Sequence, residues 1–257
     1  MKSIFNSSIL KRKIALAGAL GAVVISGCNA PAPDSVENTA TNSAKNAAIN
    51  AATNSATPST PGELTTFANM ETGLKGQLKA NYVDFAISYP ESWELQEYGR
   101  DVNAQNFLKI ERSAPDKSKG EFTLENLAVG FFKHANNPQR NAELLPKTVK
   151  VLSGQFAAKL TNYKKVSEGP TKIGEYSGYQ FLFTSTMKTP AKGEIALWGR
   201  AVLLMEPKTT KGVALLMLAS SLAPEIKGPA DIGVKGELPA ILKTFKFGKE
   251  KTPDSSQ

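Results

Sequence analysis

The sequence is poor in the side chains from which most metal centres and nucleophilic active sites are built. Its 257 residues include one cysteine, Cys28, and one histidine, His134. A structural zinc site usually takes several Cys or His ligands, so this chain cannot assemble one of that kind. A single cysteine also excludes an internal disulfide. The folded part must therefore be stabilised by its hydrophobic core, and we predict neither a metal nor a cofactor.

Catalytic motifs are equally scarce. The serines next to or near glycine are Ser153, Ser167 and Ser177, and none lies in a Gly-x-Ser-x-Gly elbow. A catalytic triad would have to use His134, which we interpret as a solvated loop residue. The glycines of segment 223–236 do not form a phosphate loop, and no EF-hand spacing is present, although a carboxylate Ca²⁺ site stays open. We predict that the chain is not an enzyme.

The first 27 residues have the pattern of an export signal. Four cations (Lys2, Lys11, Arg12 and Lys13) precede an apolar run, 14–25, that is too short to span a bilayer, which needs roughly 20 residues. The run ends in Ile25-Ser26-Gly27-Cys28. This box resembles the cleavage site of bacterial lipoproteins. The resemblance implies that residues 1–27 are removed and that Cys28 carries a lipid with more than one acyl chain, of the palmitate kind. An uncleaved anchor is the alternative.

Residues 28–62 predict a disordered linker behind the lipidated cysteine. Of the 34 residues from 29 to 62, 28 are Ala, Asn, Thr, Ser or Pro, and none is aromatic. Such a segment cannot bury enough apolar surface to offset the entropy of ordering. A flexible chain of this length reaches roughly 30–35 Å. The linker would therefore either hold a domain of residues 63–250 away from the membrane or let it search for a partner, and a polar tail, 251–257, follows.

The net charge does not indicate nucleic-acid binding. The formal charge of the whole chain is +8, and removal of residues 1–27 takes away four cations and no acid, which leaves +4. The basic residues near the C-terminus form a candidate contact for an acidic partner or for lipid head groups, with a merely solvated surface as the alternative: Lys243, Lys246, Lys249 and Lys251. We interpret Glu121 and Glu125 as solvated charges at strand ends.

Hydrophobic spacing predicts an α+β domain. Apolar residues alternate at Val83, Phe85, Ile87 and Tyr89, as in a strand with one buried face. Trp93 follows, and we expect it to close the core, with stacking on a ligand as the alternative. Further strands are predicted at 93–95, 107–110, 127–131, 164–166, 176–187, 194–205 and 213–219. The last three are joined by short turns and predict an antiparallel meander.

Helical spacing occurs at three places. Leu145, Val149, Leu152, Phe156 and Leu160 recur every three or four residues, and Pro146 suits a first turn, so we predict a helix over 146–160. A second helix is predicted over 237–244. A short amphipathic helix is predicted around Phe67, Met70 and Leu74. Strands, a helix, more strands and a last helix favour an antiparallel β-sheet with helices packed on it.

Two stretches resemble the Mog1/PsbP-like superfold. They are Phe85-Ala-Ile-Ser-Tyr-Pro90-Glu-Ser-Trp93, which is similar to its opening strand, and Ile241-Leu-Lys-Thr-Phe245, which is similar to its closing helix. The resemblance covers roughly residues 81–247. It implies an α/β/α sandwich that binds other macromolecules without catalysis. Three groups of proteins have a similar pattern: PsbP proteins of photosystem II, DcrB-like envelope lipoproteins and Mog1-like Ran-binding proteins.

These observations predict an exported lipoprotein that binds a protein at the membrane surface. The lipobox excludes the nuclear role of Mog1-like proteins, and the long linker is unlike the start expected of PsbP proteins. We expect the domain on the periplasmic face of an inner or outer bacterial membrane, or in an equivalent extracytoplasmic space. Two alternatives stay open: a PsbP-type photosystem II assembly or stability factor, and a small-molecule-binding or envelope-stress lipoprotein with a pocket between sheet and helix.

Overall fold

The computed structural model describes residues 63–97, 99–114, 122–189, 193–207 and 209–248. Ten strands and three α-helices follow one another in these ranges. In chain order they are β1 (Leu64–Ala68), α1 (Gly76–Ala80), β2 (Phe85–Pro90), β3 (Glu94–Glu97), β4 (Leu108–Ala114), β5 (Phe122–Lys133), α2 (Pro138–Lys159), β6 (Thr161–Ile173), β7 (Tyr176–Thr189), β8 (Gly193–Met205), β9 (Lys211–Ser220), α3 (Leu238–Thr244) and β10 (Lys246–Phe247). A 3₁₀ turn, Pro229–Asp231, lies between β9 and α3.

The strands form two antiparallel sheets. The larger has seven strands in the order β3-β4-β5-β9-β8-β7-β6, and the smaller has three in the order β1-β2-β10. Strands β6 to β9 pair consecutively, which confirms the predicted meander and extends it by one strand. The α+β class predicted from the sequence is confirmed.

Two hydrophobic cores lie on the two faces of the large sheet. On one face, buried residues of α2 pack against β5, β7, β8 and β9, with Phe156, Phe181 and Phe183 at the centre. On the other, β2, α1 and α3 pack against β4, β5, β8 and β9. Strands β5, β8 and β9 contribute buried residues to both cores and are therefore covered on both faces, as the almost wholly apolar sequence of β9 predicted.

The helix on the first face is longer than predicted. It begins at Pro138 instead of Pro146, and Oδ1 of its N-cap residue Asn137 accepts a hydrogen bond of 3.0 Å from the backbone N–H of Arg140. Pro146 lies inside the helix. Its missing N–H costs one helical hydrogen bond, but burial of Leu145, Val149 and other apolar residues of this face offsets that loss.

Two further predictions need correction. The expected helix around Phe67, Met70 and Leu74 is absent from that position, because Phe67 belongs to β1 and the helical turn comes later, at α1. The short strand predicted at 164–166 is the middle of the 13-residue β6. That strand is the edge of the large sheet and is mostly exposed, so it carries little of the apolar alternation that signals a strand.

Candidate functional site

The structure places only part of the residues predicted as functional. Cys28, the lipobox residues Ile25, Ser26 and Gly27, and the lysines Lys249 and Lys251 lie outside the described residues, as does Glu121. Lys243 is exposed in the last turn of α3, and Lys246 is exposed in β10, which pairs with the middle strand of the small sheet. The lipidation site and the basic cluster stay predictions.

His134 is not the solvated loop residue that we expected. It is partly buried after the end of β5, where Nδ1 lies 2.9 Å from the carbonyl oxygen of Ala135 and Nε2 lies 2.7 Å from that of Lys211. Each ring nitrogen thus faces a backbone carbonyl oxygen, which is a hydrogen-bond acceptor. The imidazole links the loop before α2 to the turn between β8 and β9.

Charged side chains from separate parts of the chain converge on Arg112 of β4. Its guanidinium contacts Glu125 of β5 at 2.7 Å, Glu237 at 3.2 Å, and Glu225 at hydrogen-bond distance. Nε1 of Trp93 donates to Oε2 of Glu237 at 2.7 Å. We call Arg112 with these three glutamates and Trp93 the Arg112 cluster. Trp93 is only 3% exposed, which confirms its prediction as a core residue.

Glu125 is fully buried, so its interpretation as a solvated strand-end charge was wrong. Neither oxygen of this carboxylate makes a hydrogen bond of good geometry with a described residue, although Oε2 pairs electrostatically with Arg112. Desolvation by burial raises the pKa of Glu125 to about 7, and the Arg112 guanidinium opposes this rise while Glu225 adds to it. Glu125 therefore changes its charge near neutral pH.

The Arg112 cluster joins segment 221–237 to the large sheet through ion pairs. Glu225 and Glu237 belong to this segment, and Ala223, Ile226 and Ile232 of the same segment are buried in the core. On its other side, Nη1 of Arg200 in β8 donates to the carbonyl oxygen of Ile232 at 3.1 Å. Two arginines, Arg112 and Arg200, thus hold the segment against the large sheet.

A polar recess opens at the end of the molecule where β2 begins. Its volume is about 510 Å³, and the described residues that line it are Tyr82, Asp84, Asn136, Glu206, Thr209, Thr210 and Lys211. They come from the segment before β2, the loop before α2 and the turn between β8 and β9. We call this cavity the Asp84 recess.

The hydrogen bonds of the Asp84 recess leave its two carboxylates without a cationic partner. Nζ of Lys211 donates to the carbonyl oxygen of Tyr82 at 3.0 Å, and Oε2 of Glu206 accepts from the Thr209 hydroxyl at 3.0 Å. No described residue forms an ion pair with Asp84 or Glu206. Oδ1 of Asp84 is buried and has no hydrogen-bond partner among the described residues.

Tyr82 adds an aromatic wall and a neutral hydroxyl to the recess. The pKa of Tyr82 is raised to about 12, mainly because the phenol is buried and in smaller part because the Asp84 carboxylate is close to it. Its hydroxyl lies 3.2 Å from the carbonyl oxygen of Asn69, to which it donates. The phenol is therefore protonated at neutral pH, and the negative charge of the recess comes from its carboxylates.

These two assemblies allow different chemistry. In the Arg112 cluster every carboxylate already contacts the Arg112 guanidinium, and Glu125 has no access to solvent. The cluster is therefore better suited to holding segment 221–237 in place than to binding a ligand. The Asp84 recess is open, and its two carboxylates form no ion pair with any residue that the structure describes, which suits a cationic or hydroxyl-rich ligand. Within the described residues, no group of three or more His, Cys, Asp or Glu side chains is arranged to hold a metal ion.

Sequence reasoning missed both assemblies. The residues of each come from segments that are separated by up to about half the chain, as Tyr82 and Lys211 are. One sequence signal was available: Glu125 stands in the apolar run Phe122–Phe131, where a solvated charge is unexpected. No comparable signal marked Asp84.

Comparison with known proteins identifies no family. No known family description matches the sequence, and no curated protein matches it either. Solved structures do match. Cyanobacterial PsbP (CyanoP) from Synechocystis sp. PCC 6803 has 9% identity and a TM-score of 0.42, with coverage of 76% of this chain and 97% of that one.

Two further solved structures are similar at the same level. Mog1p, a Ran-binding protein of Saccharomyces cerevisiae, has 12% identity and a TM-score of 0.41, with 72% of this chain and 96% of that chain covered. LpqN, involved in cell envelope biogenesis of Mycobacterium tuberculosis, has 11% identity and a TM-score of 0.39, with 72% and 92% covered. The chain spans 50% of the length of another match, from Bacteroides thetaiotaomicron. At these scores no function transfers, and the α+β class rests on the sheet order itself.

Proposed function

We propose that this chain is a non-catalytic binding module, tethered to a membrane by a lipid on Cys28, that holds a protein partner at the Asp84 recess. The domain would work outside the cytoplasm, on the periplasmic or an equivalent face. None of the described helices is both long and apolar enough to cross a bilayer. In this proposal, membrane attachment depends on the lipobox predicted from the sequence, Ile25 to Cys28.

The observation that carries the proposal is the position of the recess relative to the tether. The chain enters the domain through β1, where Leu64 pairs with Pro90 at the end of β2. Asp84 comes just before the first residue of β2, at the opposite end. Six residues of strand separate the two ends by roughly 20 Å. The recess thus lies at the end of β2 opposite to Leu64, where the described chain enters the small sheet, and this separation leaves it accessible to a partner.

Lys246, one of the two described lysines of the basic cluster, lies at the same end as the recess. Lys246 pairs with Ala86, and the backbone N–H of Gly248 donates to the carbonyl oxygen of Asp84 at 2.9 Å. Lys249 follows Gly248 directly in the sequence, and Lys251 comes two residues after Lys249. This placement favours contact with an acidic part of the partner over contact with lipid head groups near the tether.

A second candidate function is small-molecule binding, which the size of the recess favours. A volume of about 510 Å³ falls within the usual range of ligand pockets. The recess differs from the predicted pocket between sheet and helix, because its described lining residues come from loops and from the start of β9. Only Tyr82 among them is aromatic, and the four that lie on the β8–β9 side bear a charge or a hydroxyl: Glu206, Thr209, Thr210 and Lys211. The ligand would be small and polar.

Capture from native membranes tests the proposed function. The tagged chain is crosslinked in the membranes of its host, purified and analysed by mass spectrometry, beside Cys28→Ala as the unanchored control. A stoichiometric protein partner that is lost from the control and reduced by Glu206→Gln supports the proposal. The partner's identity separates a photosystem role from an envelope role. Recovery of lipid alone overturns protein binding.

A further inference from the structure

We propose that the Asp84 recess binds a primary alkylammonium group, the head group of a lysine side chain. This inference rests on the proposed function, because it names the chemistry by which a partner would be held. It depends on three observations about the recess: the imbalance of its charges, the hydrogen-bond acceptors around it and the shape of its aromatic wall.

The charges of the recess are not balanced within the described chain. Asp84 and Glu206 are both acidic, and neither is paired with a cation among the described residues. Lys211 is near them, but its Nζ donates to the carbonyl oxygen of Tyr82. By contrast, the carboxylates of the Arg112 cluster all share one guanidinium. A carboxylate partly withdrawn from water and left unpaired attracts a cation strongly.

The available hydrogen-bond groups match the ammonium group in kind. An ammonium offers three donors and no acceptor. The recess offers the Asp84 carboxylate, whose buried Oδ1 accepts nothing from the described residues, and Oε1 of Glu206, since Oε2 accepts from Thr209. The hydroxyl of Thr210 stands at the exposed rim. A metal ion is a poorer fit, because the described acidic groups do not form a metal-binding set.

The aromatic wall suits the carbon chain that carries such a group. Lysine side chains commonly lay their methylene stem along apolar surface while the charged end meets polar groups. Tyr82 is half-buried and offers its ring to the recess beside Asp84. A volume of about 510 Å³ accepts a whole lysine side chain with room for water.

The ammonium could come from a partner or from this chain. Lys249 follows Gly248, whose N–H is bonded to the carbonyl oxygen of Asp84. A chain that ends at Gly248 lacks Lys249 and Lys251 and separates the two sources. If the chain's own lysine fills the recess, this truncation strengthens binding of an added lysine, and if the source is external, binding is unchanged.

Calorimetric titration with a lysine probe tests the inference. The full-length chain in detergent is titrated with N-acetyl-lysine amide and with its uncharged comparator, N-acetyl-norleucine amide, at low and high salt. Asp84→Asn and Glu206→Gln each remove one carboxylate charge and keep the shape of the side chain. Glu175→Gln is the matched control, because Glu175 is an exposed acid in the turn between β6 and β7.

We expect the lysine probe to bind at least about tenfold more tightly than the norleucine probe, and each recess variant to weaken it about tenfold. Higher salt weakens binding, and Glu175→Gln leaves it unchanged. If Asp84→Asn fails to fold, Glu206→Gln decides. The inference is overturned if both probes bind with equal affinity, or if Glu175→Gln weakens binding of the lysine probe as much as the recess variants do. Either result would leave the proposed binding function untouched, since the capture experiment tests that function separately. If the lysine probe binds but the capture experiment recovers no protein partner, the proposed protein-binding function is overturned and the lysine-binding inference is not.

Discussion

Gly236 lies against the carboxylate of Glu125 so closely that a Cβ on residue 236 would stand 2.7 Å from Oε1. The backbone of Gly236 also has φ +74°, a conformation that residues other than glycine rarely adopt. The next residue, Glu237, bonds to both Arg112 and Trp93. The turn at Gly236 therefore brings Glu237 into the Arg112 cluster while keeping the segment directly over the buried acid.

Substitution of Gly236 by alanine should destabilise the fold. The added methyl group both strains the backbone and meets the Glu125 carboxylate, and we expect a loss of about 2 kcal/mol in the free energy of unfolding. Gly228→Ala is the matched control, since no atom lies within 4 Å of its Cβ position and its φ is 179°. Urea unfolding of both variants measures the difference. Equal stability of the two would contradict this account of the turn.

The stability of the chain should depend on the charge of Glu125. Its pKa is about 7 in the folded chain against an ordinary value of 4.5, so between these pH values the folded state retains a proton that the unfolded state has released. The group therefore lowers the free energy of unfolding as pH rises through this window, by up to about 3 kcal/mol. Its stabilising effect is full below pH 4.5 and is lost above pH 7.

Glu125→Gln isolates this effect, because glutamine keeps the shape and cannot ionise. We expect the variant to gain stability relative to the parent chain when the pH is raised from 5 to 8. Urea unfolding at both pH values measures the gain, with Glu175→Gln as an exposed control whose difference from the parent should not change. Parallel pH profiles for Glu125→Gln and the parent would rule out a buried, proton-exchanging Glu125.

Loss of Arg112 should be costly because three glutamates share its charge. Arg112→Met leaves Glu125, Glu225 and Glu237 next to one another without a cation, and we expect a loss of about 3 kcal/mol at pH 8. The loss should be smaller at pH 5, where protonation of Glu125 relieves the repulsion. Arg140→Met is the control, since Arg140 is exposed on α2 and its substitution should cost less than about 0.5 kcal/mol. Similar losses in both variants would contradict a stabilising cluster.

The packing of the first core should be sensitive at Gly199. A Cβ there would lie 2.0 Å from Cζ of Phe183, which stacks on the bare backbone of β8. We expect Gly199→Ala to cost at least about 2 kcal/mol, because a buried ring between α2 and the sheet cannot move freely. Gly169→Ala on the edge strand β6 meets no atom within 4 Å and should be almost neutral. Thermal unfolding compares the two, and a neutral Gly199→Ala would show that the ring can move aside.

The sequence predicted the elements whose pattern of burial is regular along the chain. The alternation from Val83 to Tyr89 led to β2, whose predicted inward residues are all buried, and the all-apolar run 213–219 led to the central strand β9. Spacing on α2 correctly indicated its buried face. A core contacts every second residue of β2 and every third or fourth residue of α2, and two cores cover β9. The spacing of apolar residues in each sequence therefore corresponds directly to these contacts.

The misplaced elements are those for which local pattern and tertiary contact disagree. Pro146 indicated a helix start, yet the helix tolerates it because its preceding turn is fixed by Asn137 and by the burial of Asn141 and Leu145. Strand β6 is stabilised by its pairing with β7 and presents polar residues to solvent, so hydrophobicity did not reveal its length. Phe67 and Leu74 have helical spacing by coincidence, since they reach the core from β1 and from a turn.

The candidate sites were beyond sequence reasoning for a similar reason. Asp84 and Glu206 are 122 positions apart and meet only because the start of β2 lies beside the β8–β9 turn. The Arg112 cluster requires a segment after β9 to return across β4 and β5. Neither arrangement produces a periodic pattern of residues in the sequence. The residues of the predicted lipobox, by contrast, are contiguous in the sequence, so that prediction did not require knowledge of the fold.

The central claim is that the domain is tethered at one end and binds its partner at the other. The most direct measurement is photo-crosslinking in native membranes from p-benzoylphenylalanine placed at Thr210, on the recess rim, and at Glu91, whose N–H bonds to Glu63 beside the tether. We predict one protein crosslinked from position 210, less from position 91, and loss of both with Cys28→Ala. Equal crosslinking from the two positions, or a product that persists without Cys28, would contradict the account.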